Sequence, residues 1–452
     1  MHAALAPSLL VPGASLYIYP LPTAMNAWLA RILKTEQHEL PALLWAFFYF
    51  FCLLCSYYIL RPVRDEMGIQ GGVDKLQWLF SATFVAMLVA VPFFGFLSSR
   101  FPRQRLIPFV YCFFAANLLL FFFLMRNGVD KVILARSFFV WVSVFNLFVI
   151  SIFWSFMADI FSNDQAKRLF GVVAAGGSAG AICGPLLTTF LVGRIGAGNL
   201  LLLSIGFLLI SLLAVAKLSA WAQRHGGVKN QSLAIGGSVW AGIRLTFKSP
   251  YLLGSSVYLL CLTLLATLIY FEQIRLVADH LQDSAARTRL FAQIDLVVNT
   301  MTLLVEIFLT NRLIGRFGVA LLLMVLPLLN VLGFSALVIA PTLVVLVTFQ
   351  ALRRVAEYAL ARPAREILFT VVSREEKYKA KNFIDTVIYR GGDAASGWLS
   401  SALKGMGVSL TMVATMAIPL AVAAAAVGWL LGKQQEKLKS QQQAAAELAA
   451  PK

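Results

Sequence analysis

Long apolar runs separated by short polar stretches dominate this chain. A membrane-crossing helix needs about 20 mostly apolar residues, and about twelve stretches meet that need. In the first half they fall at 41–60, 76–97, 106–125, 137–157, 169–193 and 199–216. After a polar interval they resume at 251–271, 290–310, 319–340, 342–360, 383–403 and 408–431. The predicted fold class is all-α membrane, with about twelve transmembrane helices in two six-helix bundles. The bundles are expected at 41–216 and 251–432, joined by a cytoplasmic linker at 217–250 and flanked by tails at 1–40 and 433–452. The eleventh run is the weakest, because Asp385, Arg390 and Asp393 interrupt it.

Composition supports this reading. The chain is 60% hydrophobic and 13% charged, with a mean hydropathy of +0.80. Soluble domains carry about 25% charged residues, so most of this chain faces lipid or other membrane helices. The net charge of +17 invites a nucleic-acid reading, but its distribution argues otherwise. Arg100, Arg103 and Arg105 follow span two, and Lys217, Arg224, Lys229, Arg244 and Lys248 fill the central linker. Arg362, Arg365, Arg374, Lys377, Lys379 and Lys381 follow span ten, while the loop after span nine has no charge. Cytoplasmic loops of membrane proteins collect Lys and Arg. The expectation is a bacterial inner-membrane protein with both termini cytoplasmic and no nucleic-acid partner.

Residues 1–24 lack a basic segment ahead of an apolar core, so no cleaved signal peptide is predicted. Trp28, Leu29, Ile32 and Leu33 share one helical face after Met25, which predicts translation from Met25 into a short surface helix. Cys52 and Cys55 form a C-x-x-C, but no second pair or nearby histidine completes a metal site. The four histidines lie outside the spans or at their ends, which disfavours an intramembrane histidine relay. No GxxxxGK[ST] motif occurs, so an ATP-driven pump is disfavoured. No nucleophile–base cluster suggests an enzyme, and no cofactor or metal is expected.

The halves echo each other. Leu97-Ser-Ser-Arg-Phe-Pro resembles Leu313-Ile-Gly-Arg-Phe-Gly, and Ala166-Lys-Arg with Gly176-Gly177 resembles Ala380-Lys-Asn with Gly391-Gly392. The offset between partners is about one six-helix half, as in transporters built from parallel repeats around a central site. Gly180-Ala-Ile-Cys-Gly184-Pro185 has small-xxx-small spacing, which lets two helices approach closely. A similar pattern occurs in span five of antiporters. Segment 233–247 is a candidate amphipathic helix.

Charged residues inside or beside spans carry the most functional information, because burying charge in lipid is costly. Span one ends in Tyr57-Tyr58-Ile-Leu-Arg61-Pro-Val-Arg64-Asp65, and span seven in Tyr270-Phe-Glu272-Gln-Ile-Arg275. Span eight carries Asp295 and Glu306, and span ten runs into Arg353, Arg354 and Glu357, with Arg365 beyond. Arg275 and Arg316 are expected to snorkel to the interface. Asp385, Arg390 and Asp393 read as mutually paired structural charges as readily as functional ones.

Two resemblances attach to these residues. Gly95-Phe-Leu-Ser-Ser-Arg-Phe-Pro-Arg-Gln-Arg resembles the Gly-x-Leu-x-Asp-Arg-x-Gly-Arg-Arg/Lys loop of the major facilitator superfamily, with Ser99 in place of the Asp. Tyr58-Ile-Leu-Arg61-x-x-Arg64-Asp65 resembles the YxILRDxKD element of the ATP/ADP translocases of plastids and intracellular bacteria. Trp154-Ser-Phe-Met-Ala-Asp, continuing through Ala166-Lys167-Arg168-Leu-Phe170-Gly171, is similar to that family's FW-x-FAN…EAKRFYPLFG stretch. Pro363-Ala-Arg365-Glu366 matches its Pro-x-Lys-Glu. The similarity spans about residues 41 to 405. It implies a major facilitator fold, and substrate lysines replaced here by Arg64 and Arg365. It also implies a retained glutamate at Glu272, while a second family glutamate falls on Phe139 and is lost.

Arginines facing a cavity hold phosphate or carboxylate oxygens bidentately. The candidate substrate-binding residues are therefore Arg61, Arg64, Asp65, Glu272 and Arg365. The expected activity is alternating-access transport of a small anionic solute such as a nucleotide, by a monomer in the lipid bilayer. Two alternatives stay open. One is a proton-coupled carrier of another organic solute, with Glu272 or Asp295 carrying the proton. The other is a membrane sensor or assembly partner that no longer transports.

Overall fold

A computed structural model describes residues 35–128, 130–225 and 239–449. The predicted surface helix after Met25 lies outside the described residues. The described chain is helical throughout. α1 spans Leu40–Gln70, α2 Leu76–Arg100, α3 Arg103–Arg126, α4 Lys131–Ile160 and α5 Asn163–Arg224. A ten-residue helix, α6 (Val239–Lys248), precedes α7 (Pro250–His280), α8 (Ser284–Val305) and α9 (Asn311–Ile339). Then come α10 (Leu343–Ala356), α11 (Arg362–Leu368), α12 (Arg374–Phe383), α13 (Tyr389–Gly405) and α14 (Leu410–Ala449).

At 62 residues α5 is far too long for one crossing: about 1.5 Å per residue makes it roughly three bilayer cores long. Gly196, at φ 78°, breaks it into two. Neighbours along α1 show that the chain reverses there. Gly176, Gly180 and Gly184 approach Phe47, Phe51 and Cys55 in rising order, so the first piece runs parallel to α1. Ser204 bonds Ser56, and Trp221 donates to the carbonyl of His38, so the second piece runs antiparallel. Gly318, at φ 73°, interrupts α9 near its start in the same way. A side chain at either position would be strained in this left-handed region.

Eight helices among the described residues are long and apolar enough to cross a membrane, and two of these, 164–224 and 284–339, are double spans. The two crossings outside that set are the tenth and eleventh. Both are built from short helices joined by wide π turns at Glu357–Ala361 and Ile384–Ile388. A third π turn, Glu306–Thr310, follows α8. Thr310 donates to the carbonyl of Ala359 at 2.8 Å, linking this turn to the one at Glu357–Ala361. The tenth crossing runs beyond the expected residue 360, because α11 continues it to Leu368. The polar segment after 432 continues α14 as helix, held by Gln442 donating to the carbonyl of Val371.

Each half has its own core. In the first, Tyr49 and Tyr111 share a 2.5 Å hydrogen bond beneath the stacked rings of Phe50 and Phe153. In the second, Tyr258 donates to the carbonyl of Leu323. Helix α5 lies so close to α1 that a Cβ on Gly176 or Gly180 would meet the carbonyl oxygens of Phe47 and Phe51. In the second half Gly392 abuts Leu260 and Thr263 of α7. Gly176, Gly177 and Gly392 therefore face the first helix of their own half, whereas Gly391 faces Phe84 of α2 across the halves.

Gly180→Ala is expected to cost about 1–3 kcal/mol, because backbone atoms cannot yield as a side chain can. Gly206→Ala, with open space where its Cβ would lie, should be neutral. Melting temperatures in detergent check this, and equal temperatures for the two variants would contradict the close approach.

Candidate functional site

Between the halves lies a cavity of about 720 Å³. Helix α1 delivers Tyr57, Tyr58, Arg61 and Arg64 to it, one turn apart. Pro62 sits among them and removes one helical N–H, which loosens the ladder there. Glu357, Tyr358, Arg362 and Arg365 reach it from the broken tenth crossing, and Tyr389, Arg390 and Asp393 from the eleventh. The lining carries five arginines (61, 64, 362, 365, 390) and five acids (306, 357, 366, 385, 393), so it is formally neutral. Both charges from the first half are positive. A second, smaller chamber of about 130 Å³ shares Arg61, Tyr270, Glu357, Tyr358 and Asp393 with the first.

A buried ionic triad borders both chambers. Asp295 Oδ1 accepts from Arg354 at 2.6 Å and lies 3.6 Å from Arg61. The Asp295 side chain is 2% exposed. One carboxylate thus serves two guanidinium groups on opposite halves. Asp295 Oδ2 and Arg354 Nε have no hydrogen-bond partner in the protein. Beside them Arg353 pairs with Glu357 at 2.9 Å.

The two ends of the molecule differ. At one end, contacts join the halves: Arg287 grips Glu66 through two bonds of 2.7 and 2.8 Å, and Gln70 donates to Ser284. Lys404 meets Asp74 at 2.7 Å, and the Trp398 indole donates to Ser81 while packing edge-on against Trp78. At the other end, Arg168 pairs with Glu39 and Lys381 with Glu366, each inside one half. The larger cavity extends toward that second end, where Arg362, Arg365 and Glu366 line it.

Of the residues expected from sequence, Arg61, Arg64 and Arg365 face the large cavity. Asp65 faces only the small chamber, where Tyr270 donates to it at 2.9 Å. Glu272 lines neither and pairs with Arg275 one turn along its own helix. Arg275 is therefore no snorkeller: its side chain is 12% exposed and held by that carboxylate. Arg390 and Asp393 do face each other, at 3.6 Å. Arg64 lies over the Phe139 ring at 4.1 Å, reaches Asp65 at 3.5 Å, and keeps an unpartnered Nε.

Sequence reading missed the shared carboxylate of Asp295 and the ring of tyrosines. The arginine doublet at 353–354, inside a helix bound for the membrane, was the available signal, since such charges must find partners.

The chain matches the Major Facilitator Superfamily over residues 42–353. No curated protein matches it in sequence. Among solved structures, a variant of the nucleoside transporter NupG superposes with a TM-score of 0.66 at 12% identity, covering 86% of this chain and 99% of the other. A bacterial homologue of the iron transporter ferroportin, in an inward-facing state, gives 0.62 at 12% identity, covering 87% and 99%. A bacterial homologue of the lysosomal transporter Spinster, inward-facing and unoccupied, gives 0.57 at 15%, covering 89% and 99%. Identities this low speak to fold alone, while the match over 42–353 takes in more than half of the chain, which belongs to the Major Facilitator Superfamily.

Proposed function

We propose that this chain is an alternating-access carrier of a small organic anion with a planar or aromatic part, such as a nucleotide or another phosphorylated metabolite. The observation that carries the reading is Arg64. Its guanidinium lies over the Phe139 ring and lines the central cavity. A guanidinium held by a ring keeps its in-plane donors for a ligand. Arg362 and Arg365 approach from the other half, and Tyr57, Tyr58, Tyr358 and Tyr389 offer faces to a flat moiety. The resemblance to ATP/ADP translocases points the same way.

The neutral lining favours a solute of low charge. A fully ionised triphosphate would bring more negative charge than Arg61 and Arg64 balance, whereas a monophosphate would not. The basic loops put both termini in the cytoplasm of a bacterial inner membrane. On that orientation the Arg287–Glu66 end is outside and closed, and the cavity opens inward. All of these cavity-lining residues come from one chain, which suits a monomeric carrier.

In a thermal-shift titration, AMP and ADP are expected to stabilise the protein by mass action. Arg64→Ala and Arg365→Ala should each weaken binding by roughly tenfold to a hundredfold, the effect of about 1.5–3 kcal/mol for a charged hydrogen bond. Phe139→Glu should weaken it too, by engaging Arg64 internally. No response to any nucleotide or to inorganic phosphate would refute the anion reading. Glu66→Gln should weaken the outer closure. A cysteine placed at Ser178 in the cavity, in an otherwise cysteine-free chain, should then react several-fold more slowly with a maleimide added from the cytoplasmic side. Unchanged labelling would contradict the assigned orientation or gate.

A further inference from the structure

We infer that Asp393 is a proton-binding site and that protons enter with the solute. This rests on the anion reading above and adds its energy source. A coupling group in an alternating-access carrier has to be reachable from both sides of the barrier. Asp393 lines both the large cavity and the small chamber beyond it. It sits on the eleventh crossing, three residues after Arg390.

The other acids of the site are committed elsewhere. Asp295 is locked between Arg354 and Arg61, and Glu357 holds Arg353 at 2.9 Å. Asp65 accepts from Tyr270, and Glu66 is clamped by Arg287. Glu306 and Asp385 line only the large cavity. Asp393 is held loosely. Its Oδ1 accepts from the Thr267 hydroxyl at 3.2 Å, and its Oδ2 stands 3.6 Å from Arg390, beyond hydrogen-bond distance. Adding a proton gives up one ion pair, the 3.6 Å contact with Arg390.

The groups facing Asp393 make that proton consequential. On its own helix these are Tyr389 and Arg390. Thr267 faces it from α7, Glu357 and Tyr358 from the tenth crossing, and Arg64 from α1. From α2, the remaining helix packed on α13, come the uncharged Phe80, Phe84 and Gln77. Arg390, 3.6 Å away, and Arg64, which also acts on Asp393 electrostatically, both line the cavity. While ionised, Asp393 competes with an anionic solute for both. When it takes a proton from water in the open cavity, it becomes neutral and leaves Arg390 and Arg64 to the solute. After the halves rock, the same carboxyl faces the other chamber. Departure of the anion re-exposes the two arginines, which favours return of the proton to water. Anion and proton thus bind together and leave together.

The test uses full-length protein in liposomes loaded with a fluorescent pH indicator, with labelled AMP added outside. One proton carried per solute across a gradient of one pH unit supports about tenfold accumulation. Wild type is expected to acidify the lumen as AMP enters and to accumulate it about tenfold under that gradient. Any AMP that enters through Asp393→Asn should do so without acidification and without accumulation above equilibration. Asp393→Glu should restore coupling. Wild-type uptake with no pH change, or Asp393→Asn uptake with undiminished acidification, would overturn the inference while leaving the anion reading intact. Failure of wild type to take up AMP would instead sink the anion reading. Infrared titration then decides Asp393 without any solute. A protonated-carboxyl band that titrates in wild type and disappears in Asp393→Asn, but persists in Glu357→Gln, supports it, and an unchanged band in Asp393→Asn overturns it.

Discussion

A guanidinium in the middle of a membrane has to be neutralised or wetted, and this molecule is organised around meeting that demand. Arg61 comes from one half and Arg354 from the other, and Asp295 is the carboxylate they share. Removing either arginine would leave Asp295 still paired. Removing Asp295 would strand two cations, the kind of loss that costs far more than a surface ion pair. The triad therefore joins the halves at the depth where they must also part. A contact worth too much would freeze the carrier. One long leg of 3.6 Å and an unpartnered Oδ2 make it a joint that can be remade.

Around that joint the halves have been built differently from similar plans. The first half is tightly packed: α5 lies on α1 through glycines so close that no side chain fits between them. Among the described residues, the charges it sends to the large cavity are Arg61 and Arg64. The second half carries every π turn among the described residues, at Glu306–Thr310, Glu357–Ala361 and Ile384–Ile388. Each turn contains one of the acids lining the cavity: Glu306, Glu357 or Asp385. A π turn widens the helix and re-aims the side chains on it. In each case the widened turn coincides with an acid that lines the cavity. Rigidity in one half and adaptable crossings in the other suit a machine whose halves move against each other.

How much of this was legible follows from which interactions are local. Ten crossings are readable because apolar length alone identifies them. The tenth and eleventh carry their charges inside, so hydropathy runs lowest where the site is richest. Gly196 and Gly318 left a trace only as glycines between apolar runs, and their positive φ explains the reversals. Arg61, Arg64 and Arg365 were found because they end or follow spans in recognisable surroundings. Glu272 drew attention for the same reason, yet its partner Arg275 stood three residues away in plain view. The i, i+3 spacing predicts that pair directly. Asp295 with Arg61 and Arg354, and Glu66 with Arg287, join residues far apart in the chain. No periodicity carries such information.

Phe139 decides how Arg64 is held. Here an arginine lies over a phenyl ring at 4.1 Å. A ring face steadies the cation without cancelling its charge, so the positive potential in the cavity persists. Its counter-charge in its own half is Asp65, 3.5 Å away, whose Oδ1 also accepts from Tyr270. Across the cavity, on the second half, Asp393 lines the same space. Arg64 therefore answers both to a neighbour in its own half and to an acid on the opposing one. That makes charge compensation depend on how the halves are disposed, which is the condition for coupling one flux to another.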